Sequence, residues 1–171
     1  MADGDLERIF RAFEAAHVRY LVVGGVAVVL HGYPRFTADL DLVLSFEPSN
    51  LEVAFEVLRR LGYQPRAPVS LEELAQPKIR RSWVRDKNLV VLSLWSAALP
   101  ATEIDLFVEE PFPFEQAYAR ALRAEIGDIC VSVASFEDLI TLKLRGGRPK
   151  DLEDIRCLEQ LAREIHEAED D

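Results

Sequence analysis

The stretch from Tyr20 to Leu44, YLVVGGVAVVLHGYPRFTADLDLVL, constrains this chain more than any other. An apolar run, Leu21-Val22-Val23, stops at Gly24-Gly25, and a short apolar segment from Val26 to Leu30 closes at Gly32. Pro34, Arg35 and Thr37 then lead into Asp39-Leu40-Asp41, set in a second apolar segment. The spacing predicts strand, glycine turn, short helix, loop and strand.

Two parts of this stretch carry chemistry. A Gly-Gly turn that opens a helix lets a ligand come close to backbone, and the first N–H groups of that helix point outward, which suits a phosphate. The same pair also serves as a plain tight turn. Asp39 and Asp41 stand at i and i+2, so in a strand they share a face while Leu40 and Leu42 point into a core. Two close carboxylates repel unless a cation sits between them, and their hard oxygens suit Mg²⁺ together with substrate phosphates. The plain alternative is an amphipathic strand with both acids in water.

Gly-Gly, a helix-length gap, Arg-x-Thr and Asp-x-Asp in a strand together resemble the nucleotidyltransferase superfamily with the DNA polymerase β-like catalytic fold. The pattern is closest to the abortive-infection toxin branch (AbiEii/MenT-like) and to the aminoglycoside and lincosamide nucleotidyltransferases. Gly25 stands where many members carry a serine whose hydroxyl touches phosphate, which leaves that contact to backbone N–H groups.

At 171 residues and 49% hydrophobic, the chain is expected to form one globular unit. No stretch approaches a membrane span and the N-terminus does not read as a signal peptide, which points to a cytoplasmic protein without a membrane partner. Cys130 and Cys157 read as reduced core residues, and His17, His31 and His166 show no ligand spacing. The net charge of −10 argues against nonspecific coating of nucleic acid and is compatible with an acidic, metal-filled centre or a small cationic substrate.

In chain order, Leu6, Ile9, Phe10, Phe13 and Ala16 recur at helical spacing. Ser49 with Glu52 predicts a capping box for a helix that Gly62 stops, and Ser70 with Glu73 predicts a second, short helix ending before Pro77. The basic stretch Lys78 to Lys87, KIRRSWVRDK, allows two readings: a solvated strand or hairpin with one buried tryptophan, or a nucleic-acid contact in which Arg80 and Arg81 meet phosphates and Trp83 stacks on a base. Leu89 to Leu94 and Ile104 to Val108 read as buried strands. Asp105 lies between Ile104 and Leu106, where a buried acid is costly without compensation. Phe114 to Leu122 reads as a helix, Gly127-Asp128 as a hairpin turn, and Ser135 with Asp138 as a third capping box.

At the C-terminal end, Gly146-Gly147 breaks a helix and Pro149 suits the first position of the next. Lys143 is expected to be exposed, and it clusters in sequence with Arg145, Arg148 and Lys150. Asp151, Glu153 and Asp154 occupy a first helical turn, where acids are favoured in any case. The lysine followed by Arg-Pro-Lys-Asp-x-x-Asp resembles the C-terminal motifs of the toxin branch, where the lysine contacts the nucleotide and the acidic motif supports the site.

The reading is therefore an α/β (α+β) nucleotidyltransferase fold: a mixed β-sheet with helices packed against one face, residues 1–134 as catalytic core and 135–171 as a C-terminal helical part packed on it. The resemblance implies a metal-dependent enzyme that moves an NMP from an NTP, ATP among them, to an acceptor hydroxyl with Mg²⁺ or Mn²⁺. It implies Asp39, Asp41 and Asp105 as metal-binding and catalytic acids, with Glu103 the fallback for Asp105. Gly24, Gly25, Arg35, Thr37, Lys143 and Asp151 would bind nucleotide, and Arg80, Arg81, Trp83, Arg148 and Lys150 would contact the acceptor. The toxin branch implies RNA (tRNA) or protein as acceptor and a cognate antitoxin. An antibiotic-modifying nucleotidyltransferase and a non-catalytic nucleotide-binding regulator are the alternatives.

Overall fold

The structure, a computed structural model, describes residues 4–33, 37–146 and 148–170. Its first helix, α1 (Asp5–Ala15), buries Ile9, Phe10 and Phe13 on one stripe and packs on the last strand and the third helix. The chain turns at His17, whose φ of 56° sets the reversal, and enters β1 (Tyr20–Val23), then α2 (Gly24–Leu30) and β2 (Asp39–Leu44). All four side chains of β1 are fully buried. Because neighbouring side chains leave a strand on opposite sides, both faces of the sheet are covered there, not one alone, and an unbroken apolar run follows from that.

The third helix, α3 (Pro48–Arg60), starts one residue before the predicted cap. Pro48 takes the first position, where its missing N–H costs nothing, and Glu47 precedes it without a side-chain cap. A two-residue strand, β3 (Gln64–Pro65), leads to α4 (Leu71–Leu74), where the Ser70–Glu73 capping box forms in both directions. The basic stretch is then a helix, α5 (Pro77–Lys87), and not a strand or hairpin. Ile79, Trp83 and Val84 fall on one helical stripe against the core, and Asn88 ends the helix in the left-handed region at φ 53°.

Next come β4 (Val91–Trp95), β5 (Glu103–Phe107), α6 (Phe114–Ala119), β6 (Leu122–Ile126), β7 (Ile129–Val133), α7 (Phe136–Gly146) and α8 (Pro149–Asp170). β6 and β7 are joined at Gly127-Asp128, with Ile126 opposite Ile129 and Gly127 at φ 59°. Ser135 caps α7, its Oγ accepting the Asp138 N–H at 3.2 Å. Cys130 stands exposed on the outer hairpin and Cys157 is half-buried, so neither is the core residue expected of it.

The seven strands form one mixed sheet in the order β3-β4-β5-β2-β1-β7-β6. β2 runs antiparallel to β1 and parallel to β5, and β4 runs antiparallel to β5. Leu139 of α7 and Leu158 of α8 are fully buried in the same core as the sheet. Among the described residues no helix is long and apolar enough to cross a membrane.

Candidate active site

The register of the sheet gathers the acids. Asp41 lies opposite Val23 on one side and Asp105 on the other, and Asp39 lies opposite Glu103. Directly opposed residues of a sheet share a face, so Asp39, Asp41, Glu103 and Asp105 all project to one side. Ser93, opposite Asp105 on β4, projects to the same side, and its Oγ donates to Asp105 Oδ1 at 2.7 Å. Gly24 opens α2 at φ 69°, and a Cβ built there would collide with the Asp41 carboxylate. Glycine is therefore required twice at this position, for the backbone angle and for the room Asp41 occupies.

Burial raises the Asp41 pKa first, the charges of Asp105 and Asp39 next and a hydrogen bond with Asp105 after them, and together they push it up to about 7 against a weak opposing effect of Lys143. Burial leads this shift, and the neighbouring carboxylates add to it. Glu103 is tied to Arg66 across the sheet and does not line the cavity that Asp39, Asp41 and Asp105 line.

That cavity has a volume of about 920 Å³. Its lining includes Gly24, Gly25, Thr37 and the three aspartates together with Lys143 of α7, Arg148 just before α8 and Asp151 of α8. The residues singled out at the two ends of the chain thus meet in one place. Thr37 Oγ1 donates to the Asp39 carbonyl at 3.3 Å and so orders the loop before β2. Val84, Leu89, Val91, Phe107 and Leu142 give the rest of the cavity apolar walls, with Glu109 and Glu110 exposed along it.

Lys143 is not the exposed lysine expected from the sequence. Its side chain is 10% exposed, with Nζ 2.8 Å from Asp154 Oδ2 and 3.7 Å from Asp151 Oδ1. Arg148 donates to Asp151 three times, from Nε at 2.9 Å, from its backbone N–H at 3.3 Å and from Nη2 at 3.4 Å, as an acid in a first helical turn reaching back to the residue before the helix. Burial works against the Asp151 carboxylate, but the Arg148 hydrogen bonds and the charges of Arg148 and Lys143 outweigh it and hold the pKa below the usual range.

The residues proposed from the basic stretch lie elsewhere. Trp83 is 3% exposed, so its ring anchors α5 in the core and offers no face for a base. The Arg80 guanidinium stacks 4.1 Å from the Phe46 ring and donates to the Leu74 carbonyl at 2.6 Å. Arg81 is exposed and bonds the Pro77 carbonyl of its own helix. None of the three lines the cavity; α5 reaches it through Val84. Arg35 lies outside the described residues, and Lys150 lies in α8 with its side chain outside the description.

Ser93 and the pairing of Asp154 with Lys143 were not read from the sequence, and Arg145, named there only as one of the clustered cations, lines the cavity and donates to the Pro111 carbonyl at 2.6 Å. The Asp-x-x-Asp spacing at 151 and 154 does put two acids on one helical face and could have signalled a shared cation. Ser93 is marked locally only as a short polar residue in a strand whose other outer-face positions are Val91 and Trp95.

Hard carboxylate oxygens on one face, with Asp41 already short of a counter-charge, are a donor set that fits a divalent cation. Among the described residues no three His, Cys, Asp or Glu side chains stand in ready-made ligand geometry, so a cation would have to draw the acids together. His31 is not part of this set: it bonds the Ala134 carbonyl at 2.8 Å, and burial lowers its pKa.

A family model described as "Nucleotidyl transferase AbiEii toxin, Type IV TA system" matches residues 6–170. No curated protein sequence matches the chain. Among solved structures, the fold is similar to that of ANT(2")-Ia in complex with adenylyl-2"-tobramycin, at 15% identity and a TM-score of 0.56 over 92% of this chain and 90% of that one. It is also similar to the lincomycin-bound lincosamide antibiotic adenylyltransferase LnuA, at 18% identity and a TM-score of 0.58 over 92% and 96%. A solution structure of ANT(2'')-Ia matches at 14% identity and a TM-score of 0.57 over 96% and 90%. At these identities the likeness is one of fold.

Proposed function

The chain belongs to the AbiEii nucleotidyltransferase toxin family of type IV toxin–antitoxin systems, and on that footing we propose that it transfers a nucleoside monophosphate from an NTP to an acceptor hydroxyl, with Mg²⁺ or Mn²⁺ as cofactor. The observation that carries this is the register of Asp41 with Asp105, which sets two carboxylates side by side in a cavity that also receives Lys143 and Arg148. Residues 1–134 would act as the catalytic core and supply the acids, and 135–171 would form the helical part that supplies the cations.

The acceptor oxygen attacks the α-phosphorus, the bond to the β-phosphate breaks, pyrophosphate leaves, and the acceptor proton passes to Asp105. A divalent cation held by Asp39, Asp41 and Asp105 would lower the pKa of the acceptor hydroxyl and offset charge on the leaving group. The N–H groups at Gly24 and Gly25 hold the triphosphate, and Lys143 and Arg148 add positive charge beside it. Asp151 keeps Arg148 at the cavity, and Arg35 is assigned to the same nucleotide.

For the acceptor, the reading is RNA, a tRNA 3′ end first. Exposed Lys78, Arg81 and Lys87 on α5, the helix whose Val84 lines the cavity, are suited to a phosphate backbone approaching from that side. Trp83 no longer supports it, because the ring is buried. Glu109 and Glu110 along the cavity favour the second reading, a small cationic acceptor of the aminoglycoside kind. The enzyme is assigned to the cytoplasm, with the cognate antitoxin that its family implies.

Labelled NTP offered in parallel to total RNA, total protein and aminoglycosides tests this. Label on small RNA that falls as salt rises is expected. Label on the antibiotic alone would overturn the acceptor and keep the chemistry. NTP bound with no label anywhere would leave a nucleotide-binding regulator.

A further inference from the structure

We propose that Ser93 is a positioning residue for Asp105: its hydroxyl fixes the turn of the carboxylate, so that one oxygen is committed and the other is presented to the cavity. The inference rests on the transfer reaction proposed above, in which Asp105 binds cation and takes the acceptor proton.

β4 reads Val91-Leu92-Ser93-Leu94-Trp95, with Leu92 and Leu94 buried in the core and Val91, Ser93 and Trp95 on the other face. A strand flanked on both sides by paired neighbours favours β-branched and aromatic residues, and Val91 and Trp95 obey that preference. Ser93 does not. Serine contributes little to packing here and brings one short polar group, whose hydroxyl lies 2.7 Å from Asp105 Oδ1.

The register explains the reach. Ser93 and Asp105 are directly opposed on antiparallel strands, and Asp105 and Asp41 are directly opposed on parallel ones. The Asp105 carboxyl therefore stands in a row between a neutral donor and a second acid. An Asp carboxylate turns about a soft, broad torsion, and repulsion from Asp41 and Asp39 would drive it away from the productive orientation. A hydroxyl donor on the far side opposes that drift without adding a charge. Gly24 serves Asp41 by leaving room for its carboxylate; Ser93 serves Asp105 by holding one of its oxygens. Partners that orient metal-binding carboxylates in this way are worth roughly tenfold to a hundredfold in activity or metal affinity.

The experiment compares the full chain with Ser93→Val, Ser93→Thr and Ser93→Ala. Threonine and valine share a shape and differ by the hydroxyl, and both suit a strand; alanine covers the case in which valine disturbs folding. Steady-state NMP transfer gives kcat and the KM for NTP, and Mn²⁺ alone, titrated into metal-free protein by electron paramagnetic resonance, gives a readout independent of turnover. Ser93→Val and Ser93→Ala are expected to lose roughly tenfold or more in kcat and in Mn²⁺ affinity with KM for NTP within about twofold, and Ser93→Thr to restore both. Wild-type kcat and Mn²⁺ affinity in Ser93→Val would overturn the proposal and leave the transfer reaction intact. So would equal losses in Ser93→Thr and Ser93→Val. A wild-type chain that transfers nothing, but whose Mn²⁺ affinity falls in Ser93→Val and returns in Ser93→Thr, would remove the reaction while upholding the orientation of Asp105 by Ser93.

Discussion

Asp41 and Lys143 line the same cavity and both are largely withdrawn from water, yet their surroundings answer their charges in opposite ways. Asp41 faces two further acids, and burial with their charges drives its pKa up to about 7. Lys143 has Asp154 at 2.8 Å and Asp151 at 3.7 Å, and Arg148 completes the set. A buried pair with its partners in place holds a fold together; buried like charges strain it until something positive arrives. The Lys143 cluster pairs its charges among its own members, whereas Asp41, on the reading proposed above, would take up a cation.

The largest effect is expected at the acids. Asp41→Asn is expected to cost roughly a thousandfold or more in NMP transfer, because the charge is removed where the reaction develops it. The fold should survive, and circular dichroism would confirm that. Full turnover in EDTA would end the metal-dependent mechanism.

At the joint the order of effects reverses. Lys143→Ala leaves Asp151 and Asp154 buried with less compensation and should cost about 3 kcal/mol in urea unfolding. Adding Asp154→Asn should recover part of that loss. An unchanged unfolding midpoint in Lys143→Ala would mean that Lys143 is a surface residue after all.

Acidity sharpens the contrast further. The folded Asp41 pKa lies above its ordinary value of 3.8, so the folded state holds the proton more tightly than the unfolded one. In metal-free buffer stability should therefore fall as pH rises from about 4 to about 7, by about 2 to 4 kcal/mol in all, and Asp41→Asn should flatten the profile. Asp151, whose folded pKa is lowered, contributes in the other direction: its stabilisation is present above its unfolded pKa and is lost as pH falls. Thermal melts across pH in EDTA separate the two.

The smallest effect is expected on α5. Arg81→Glu should change stability by no more than about 0.5 kcal/mol and leave NTP affinity unchanged, since Arg81 is exposed and outside the cavity. Labelling of RNA should drop in the same variant.

Much of the acidic cluster is visible in sequence because it is local: alternation alone puts Asp39 and Asp41 on one face. Gly24 can be read as a turn, but the carboxylate that excludes a Cβ there lies in the next strand and is not. Ser93 and Asp105 are 12 residues apart, and only the pairing of β4 with β5 makes them neighbours. The burial of Lys143 depends on how α7 meets α8, which no pattern within either helix states. α5 misleads for a different reason: five cations around one tryptophan look like a surface, although Ile79, Trp83 and Val84 already spell a helical stripe.

The parallel pairing of β2 with β5 also dictates when the site comes into being. Asp39 and Asp41 can meet β1 within one short excursion of the chain, whereas Asp105 joins them only after α3, α4, α5 and β4 have been laid down. Parallel contacts between distant segments form late, because the entropy of closing a long loop must be met before they stabilise anything. Synthesis proceeds from the N-terminus, so a nascent chain broken off near Pro100 carries Asp39 and Asp41 but neither Asp105 nor Lys143. On the reaction proposed above, catalytic competence would require the chain through at least Lys143, and translation interrupted near Pro100 would yield fragments that carry Asp39 and Asp41 without Asp105 or Lys143.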